Sequence, residues 1–213
     1  MNRITAIEQQ KKRPGRVSIY VDGEFRLGCN AKCVEQFGLA VGHTLDEQTL
    51  AAVEAAEELH EAKAAALRFL GHRARTVKDL QMRLQKKQYA EHTITRVIEW
   101  LTGLGYLDDD RYAADRLEAL LRSRKMGRHG LKARLISDGC DPRLAEQAVE
   151  GMLSSADEAR LAVELAHERA ERMSGKDRQA IKRSVAGLLQ RRGFDGEHIY
   201  AALEAIEPAD DAW

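Results

Sequence analysis

The chain has 213 residues with 34 basic and 34 acidic side chains, so its formal charge is zero and a cationic coat over the whole molecule is excluded. Hydrophobic residues make up 44% but aromatics only 5%, Ala and Leu supply much of the apolar content, and there are 3 prolines; that mixture favours helices packed through small contacts. Cys29, Cys33 and Cys140 are too few and too odd in number for a disulfide framework, and no run approaches the roughly 18 apolar residues of a membrane span, so a cytoplasmic protein with no membrane partner is expected.

Residues 1–16 are basic through Arg3, Lys11, Lys12, Arg13 and Arg16, with a loop signal at Pro14-Gly15. In RVSIYVDGEFRLGC, Val17, Ile19 and Val21 alternate with polar residues, Asp22-Gly23 fits a type I′ turn, and Phe25 and Leu27 resume the alternation: a β-hairpin. An isolated hairpin is marginal in water and has to lean on something else. The stretch 30–42 predicts a short helix ending near Gly38, and Thr44 with Glu47 predicts a capping box opening a longer helix.

From about residue 62 helical periodicity runs to the end, and three segments superimpose without gaps. Leu80, Leu84, Tyr89, Ile94, Val97, Ile98 and Leu101 occupy the offsets of Leu131, Leu135, Cys140, Ala145, Ala148, Val149 and Met152. The same offsets fall on Val185, Leu189, Phe194, Ile199, Ala202, Leu203 and Ile206. The units repeat at separations of 51 and 54 residues, and each has an earlier helix, giving three helices per unit. Their punctuation agrees: Asp141 before Pro142 starts a helix, Ser155 with Glu158 reads as a capping box, and Gly139 and Gly193 sit where a helix end wants a left-handed residue. Unit one has Gln88 there, a less comfortable fit.

The expected fold is therefore mainly α: tandem three-helix repeats in an elongated, curved array with a small N-terminal β-hairpin and helix extension. The expected divisions are 1–60 for the extension, 61–107 and 108–154 for the first two repeats, and 155–213 for the third with its tail.

Charge is distributed by helix. The second helix of every repeat is positive: Lys78, Arg83, Lys86 and Lys87 against Asp79; Arg128, Lys132 and Arg134 against Asp138; Arg178, Lys182, Arg183, Arg191 and Arg192 against Asp177. The third helices are negative, most clearly with Asp195, Glu197, Glu204 and Glu207. Charges on helices are ordinarily just a solvated face, but aligned equivalent helices would gather a basic stripe suited to an acidic partner, either a nucleic-acid backbone or an acidic protein groove.

In WLTGLGYLDDDRYA, Gly103 and Gly105 end a helix, and Tyr106 and Leu107 are expected to pack back as an apolar anchor. Asp108 caps the next helix, and Asp109 and Asp110 suit the dipole of its first turn. Capping explains the three Asp better than a metal does, because no Gly-bearing calcium loop follows. Leu107→Ala is expected to cost about 2–5 kcal/mol, measured by denaturant unfolding, provided Leu107 is buried. Cys29 and Cys33 with His43 amount to half a zinc site without a fourth ligand. No Walker loop, GxGxxG, GxSxG or HExxH occurs, so no catalytic residue, cofactor, metal or small-molecule substrate is expected.

At GYLDDDRYA the chain resembles the RecX family of bacterial recombinase regulators. The likeness covers about residues 62–206, taking in RSRKMGRHGLKARLISDGCD and the Arg-Gly-Phe at 192–194; residues 1–60 resemble the N-terminal extension of longer members. Met126 and His129 depart from the glycine-flanked pattern usual in that stretch. The resemblance implies a non-enzymatic protein of three-helix repeats that acts in DNA repair, recombination and the SOS response. It would lodge in the groove of the RecA filament on DNA and inhibit the recombinase's ATP hydrolysis, strand exchange and co-protease activity, with weak direct DNA contact in some members.

Within this chain the contact patch is expected at Arg122, Arg124, Lys125, Arg128, Lys132 and Arg134, extended by Lys86, Lys87, Arg191 and Arg192. Tyr106, Leu107, Asp108 and Tyr112 would hold the junction between repeats one and two, within a structural motif that also includes Asp109. Reversing Arg124, Lys125 and Arg128 to Glu is expected to spare the fold and abolish regulation. The alternative is a DNA-binding repeat protein whose basic helices act on phosphates.

Overall fold

The computed structural model describes residues 2–123 and 125–206, which form a small sheet followed by helices and divide into two compact units. One comprises Met1–Ala74 and Leu80–Leu107, the other Arg75–Asp79 and Asp108–Trp213.

In the first unit β1 (Ile4–Gln9), β2 (Arg16–Val21) and β3 (Glu24–Asn30) make an antiparallel sheet in that order. Val21 pairs with Glu24 across a two-residue turn in which Asp22 and Gly23 both have positive φ, as a type I′ turn requires. The hairpin reading stands, but β1 was not legible: a register irregularity between Ile4 and Ala6 breaks its alternation.

Asn30 caps α1 (Ala31–Gln36), and Gly38 follows at φ 58. The next helix, α2, is the longer one expected there and runs from Glu47 to His72 without a break, and Asp46 rather than Thr44 caps it by accepting the Thr49 N–H at 2.7 Å. Thr44 instead pairs with Arg3 beside the sheet. The core gathers Ile4, Val17, Ile19, Leu27, Cys29, Cys33, Leu45 and Val53, so the sheet leans on α1 and α2. Buried Glu57 ties these elements together: it accepts from Arg16 and, at 2.5 Å, from the Asn30 N–H.

After α2 come α3 (Val77–Lys86) and α4 (Glu91–Gly103). Glu58 of α2 accepts the Ala90 N–H at 2.7 Å and the Thr93 hydroxyl at 2.9 Å, capping α4 from outside where Ala90 has no side chain to do it.

The second unit holds α5 (Asp109–Ser123), α6 (Arg128–Ser137), α7 (Pro142–Met152), α8 (Ser155–Glu171), α9 (Arg178–Arg191) and α10 (Gly196–Ala205). α5 packs on α6 and α7, and α8 on α9 and α10, giving two three-helix repeats with cores centred on Leu117, Leu131 and Leu135 and on Ala162, Val185 and Leu189. Asp141 caps α7 through the Arg143 N–H with Pro142 in its first turn, and Gly139 and Gly193 have φ 106 and 80. Gln88, at φ 64, takes the equivalent place after α3 without glycine's freedom.

Most repeat-register positions are buried, but Met152 is 42% exposed, because α7 ends there and extended Leu153 turns inward instead. Ser154, not Ser155, caps α8 by accepting from Asp157, so the capping box expected at Ser155 and Glu158 is displaced by one residue and Glu158 is left for another task.

Candidate macromolecule-binding surface

The basic second helices of the second unit run end to end. The Gly127 N–H, just before α6, donates to the Arg192 carbonyl at 3.1 Å, and the His129 N–H donates to the Gly193 carbonyl at 3.1 Å. The C-terminus of α9 thus abuts the N-terminus of α6, each satisfying groups the other leaves open. The first turn of α3, which clusters with this unit, meets α6 likewise: the Thr76 hydroxyl donates to the Asp138 carbonyl at 3.3 Å, beside Gly139.

A carboxylate completes each junction. Asp109, in the first turn of α5, accepts the Val77 N–H at 2.9 Å. Glu158, in the first turn of α8 and fully buried, accepts the Arg128 N–H at 2.8 Å and Arg128 Nε at 2.6 Å. In both cases a repeat's first helix caps the second helix of the repeat before it. Burial raises the Asp109 carboxyl above its ordinary range, against the opposing pull of the Val77 N–H. Asp108 has the capping role read for it, accepting the Arg111 N–H at 2.9 Å.

Beside Glu158, His198 Nδ1 lies 2.9 Å from Asp195 Oδ1, and Ser155 Oγ lies 3.3 Å from Nε2. Glu158, Asp195 and His198 bring ligand-type atoms within 4.8 Å of one another, but both Glu158 oxygens accept from Arg128, whose guanidinium supplies the positive charge there. The main-chain N–H of His198 holds the Asp195 carboxyl below its ordinary range. Its folded value lies below the unfolded one, so its stabilisation is present above the ordinary Asp range and is lost as pH falls through the folded value.

These contacts redistribute the expected patch. Arg128 serves Glu158; Lys125 bonds Glu164 and Glu168 at 2.8 Å each; Lys132 bonds Glu146 at 2.6 Å; Arg134 lies 3.4 Å from Asp138. The two carboxylates raise Lys125 above its ordinary value, and Lys125 lowers Glu168. Reversing Lys125 and Arg128 would set new carboxylates against existing ones, one of them fully buried, so the expectation that such a variant spares the fold is withdrawn.

Arg122 is exposed, 3.6 Å from Glu118, and Lys86, Lys87 and Arg191 are exposed. Arg192 is half-buried, its carbonyl in the α6 junction. Arg124 and Glu207 lie outside the described residues.

In the distinctive loop Leu107 is 3% exposed but Tyr106 is 60% exposed, so Leu107 alone is the anchor; Gly105 at φ 72 turns the chain so that only one of the two side chains goes inward. Tyr112 packs against the α5–α7 core. Cys140 is core, its thiol pushed by burial up to about 11, and burial likewise raises Cys29 to about 11. Cys29 and Cys33 both belong to the first unit's core, whereas His43 bonds the Gly38 carbonyl.

Comparison with known proteins agrees with this architecture. Family models match at residues 2–46 (regulatory protein RecX N-terminal domain), 62–101 (RecX, first three-helix domain) and 156–203 (RecX, third three-helix domain). A regulatory protein RecX of Clostridium acetobutylicum is 30% identical over 208 residues, covering 96% of each chain. The chain belongs to the RecX family. Another RecX relative, from Clostridioides difficile, is 30% identical over 99% of each chain. A crystal structure of a regulatory protein RecX superimposes with TM-score 0.72 at 25% identity, covering 96% of this chain and 99% of that one. The crystal structure of RecX from Lactobacillus salivarius, at 23% identity and TM-score 0.64, shares the fold over 70% of this chain and 96% of its own.

Sequence reasoning missed the junction carboxylates of this RecX chain. A signal existed, since acidic residues follow the caps of both first helices (Asp109 and Glu158), but that position also suits the helix dipole.

Proposed function

We propose that this chain binds the RecA recombinase filament on DNA and inhibits its ATPase, strand-exchange and co-protease activities. Membership of a family of regulatory proteins supports a regulatory role. The observation that carries the binding reading is the junction of α6 and α9, which brings the ends of two basic helices together. Cations carried on adjoining helices suit a partner that is itself a negatively charged assembly. The proposed contact residues are the exposed ones, Lys86, Lys87, Arg122, Arg134 and Arg191, with Arg192 next to Arg191 in sequence. Lys125, Arg128 and Lys132 contribute by holding the helices that carry them. The division of the chain at 60/61, 107/108 and 154/155 and a cytoplasmic location belong to the same proposal.

The test is recombinase ATP hydrolysis on single-stranded DNA with increasing amounts of this protein. The wild type is expected to suppress turnover. Lys86→Glu/Lys87→Glu/Arg191→Glu is expected to need about tenfold more protein for the same suppression, with an unchanged thermal melt. A variant as potent as the wild type sinks the patch; a wild type without effect on turnover sinks the regulatory reading. Filter binding to DNA alone at two salt concentrations separates direct phosphate contact, which weakens steeply with salt.

A further inference from the structure

In the first unit, α1, α2 and α4 surround a concavity of about 350 Å³. Its apolar floor is shallow, made by Ala52, Ala56 and Leu59 of α2 with Phe37 at the end of α1, and the polar Gln36 and His60 also line the concavity. Its rim carries Lys32, Lys63 and Arg96, and among the described residues no carboxylate lines it. This differs from the second unit, where Lys125, Arg128 and Lys132 each meet an acidic partner. Here Lys63 Nζ sits 4.5 Å from the centroid of the Trp100 ring, steadied by the π face with no carboxylate spent on it. Lys32 and Arg96 are exposed, and neither is ion-paired among the described residues.

Three cations around an apolar floor, in a chain whose total charge is zero, form a local charge imbalance next to desolvatable surface. A nucleic-acid strand would match the charge, but successive bases need a run of free aromatic faces; among the described residues Phe37 is the one aromatic lining the concavity, and Lys63 already covers the Trp100 ring. The volume is that of the smallest ligand pockets, enough for one aliphatic side chain.

We propose that this concavity docks an acidic polypeptide segment, which seats one aliphatic side chain on the Ala52–Ala56 floor and sets flanking carboxylates against Lys32, Lys63 and Arg96. Convergence of three cations on one segment gives it a salt-sensitive affinity that isolated surface pairs lack. Docking at this concavity requires no recombinase.

The probe is a short fluorescein-labelled peptide of Asp and Glu around one central Leu, titrated with the full chain and followed by anisotropy. Saturable binding that weakens with salt is expected. Lys32→Glu/Arg96→Glu should weaken it about tenfold. Ala55→Phe, which fills the concavity without changing any charge, should do the same, while Arg143→Glu, at an exposed position of α7, should change it less than about twofold. If the double reversal lowers the thermal melt, Lys32→Gln/Arg96→Gln takes its place. Four results would each overturn the proposal: no binding, binding indifferent to the cavity variants, equal binding when the central Leu is Gly, or tighter binding of an oligothymidylate of equal charge lost with the same variants.

Discussion

Replacing Glu158 with Ala will lower the stability of the second unit by about 2–3 kcal/mol, less than a wholly buried ion pair loses because the Arg128 side chain is 34% exposed. Glu158 has no solvent exposure, and both its oxygens are engaged, one by the Arg128 main-chain N–H and one by the guanidinium. Alanine would leave that N–H at the start of α6 without an acceptor, and would leave Arg128 without the carboxylate that it hydrogen-bonds. Glu158→Gln should cost less, because the amide oxygen still accepts one hydrogen bond. Urea unfolding followed by circular dichroism reads both variants, and an Ala variant within about 1 kcal/mol of wild type would show that the carboxylate is not what joins α6 to α8.

Gly193→Ala will destabilise by a comparable amount, about 2–5 kcal/mol, from two sources that add. The residue has φ 80, a conformation costing a side-chain-bearing residue about 1–2 kcal/mol. Its new Cβ would also lie well under 3.0 Å from the main chain of Gly130, which cannot give way as a flexible side chain could. The close approach is mutual: a Cβ on Gly127 would sit 2.5 Å from the Gly193 carbonyl oxygen. Gly151→Ala is the control, since α7 leaves open space around that position and the substitution should be neutral or stabilise by up to about 1 kcal/mol. Equal melts for Gly193→Ala and the wild type would mean that the α6–α9 approach is looser than described.

Local rules carried much of the fold. Asp141 before Pro142, the left-handed glycines 139 and 193, and Asp22-Gly23 each have a meaning set by their immediate neighbours, and each behaves accordingly. The register of Leu80, Leu131 and Val185 also follows from chain periodicity, and all three are fully buried. The errors fall where two local solutions were nearly equivalent. Ser154 and Ser155 offer the same cap chemistry one residue apart, and choosing the wrong one assigned Glu158 to its own helix when its partner is 30 residues away. Thr44 and Asp46 pose the same problem before α2.

The candidate surface was legible only as net charge. Periodicity shows that α6 is basic, but whether Arg128 faces water or a buried carboxylate depends on where α8 lands. Tyr106 and Leu107 are equally apolar in sequence, and backbone geometry alone decides which goes inward.

The junctions also give the chain a direction in time. A protein leaves the ribosome N-terminus first, and the amides at the start of α6 find their acceptors only in Glu158, Arg192 and Gly193, all made later. During synthesis the middle repeat therefore waits, incompletely bonded, for the last one to emerge. Each newly made repeat finishes its elder neighbour.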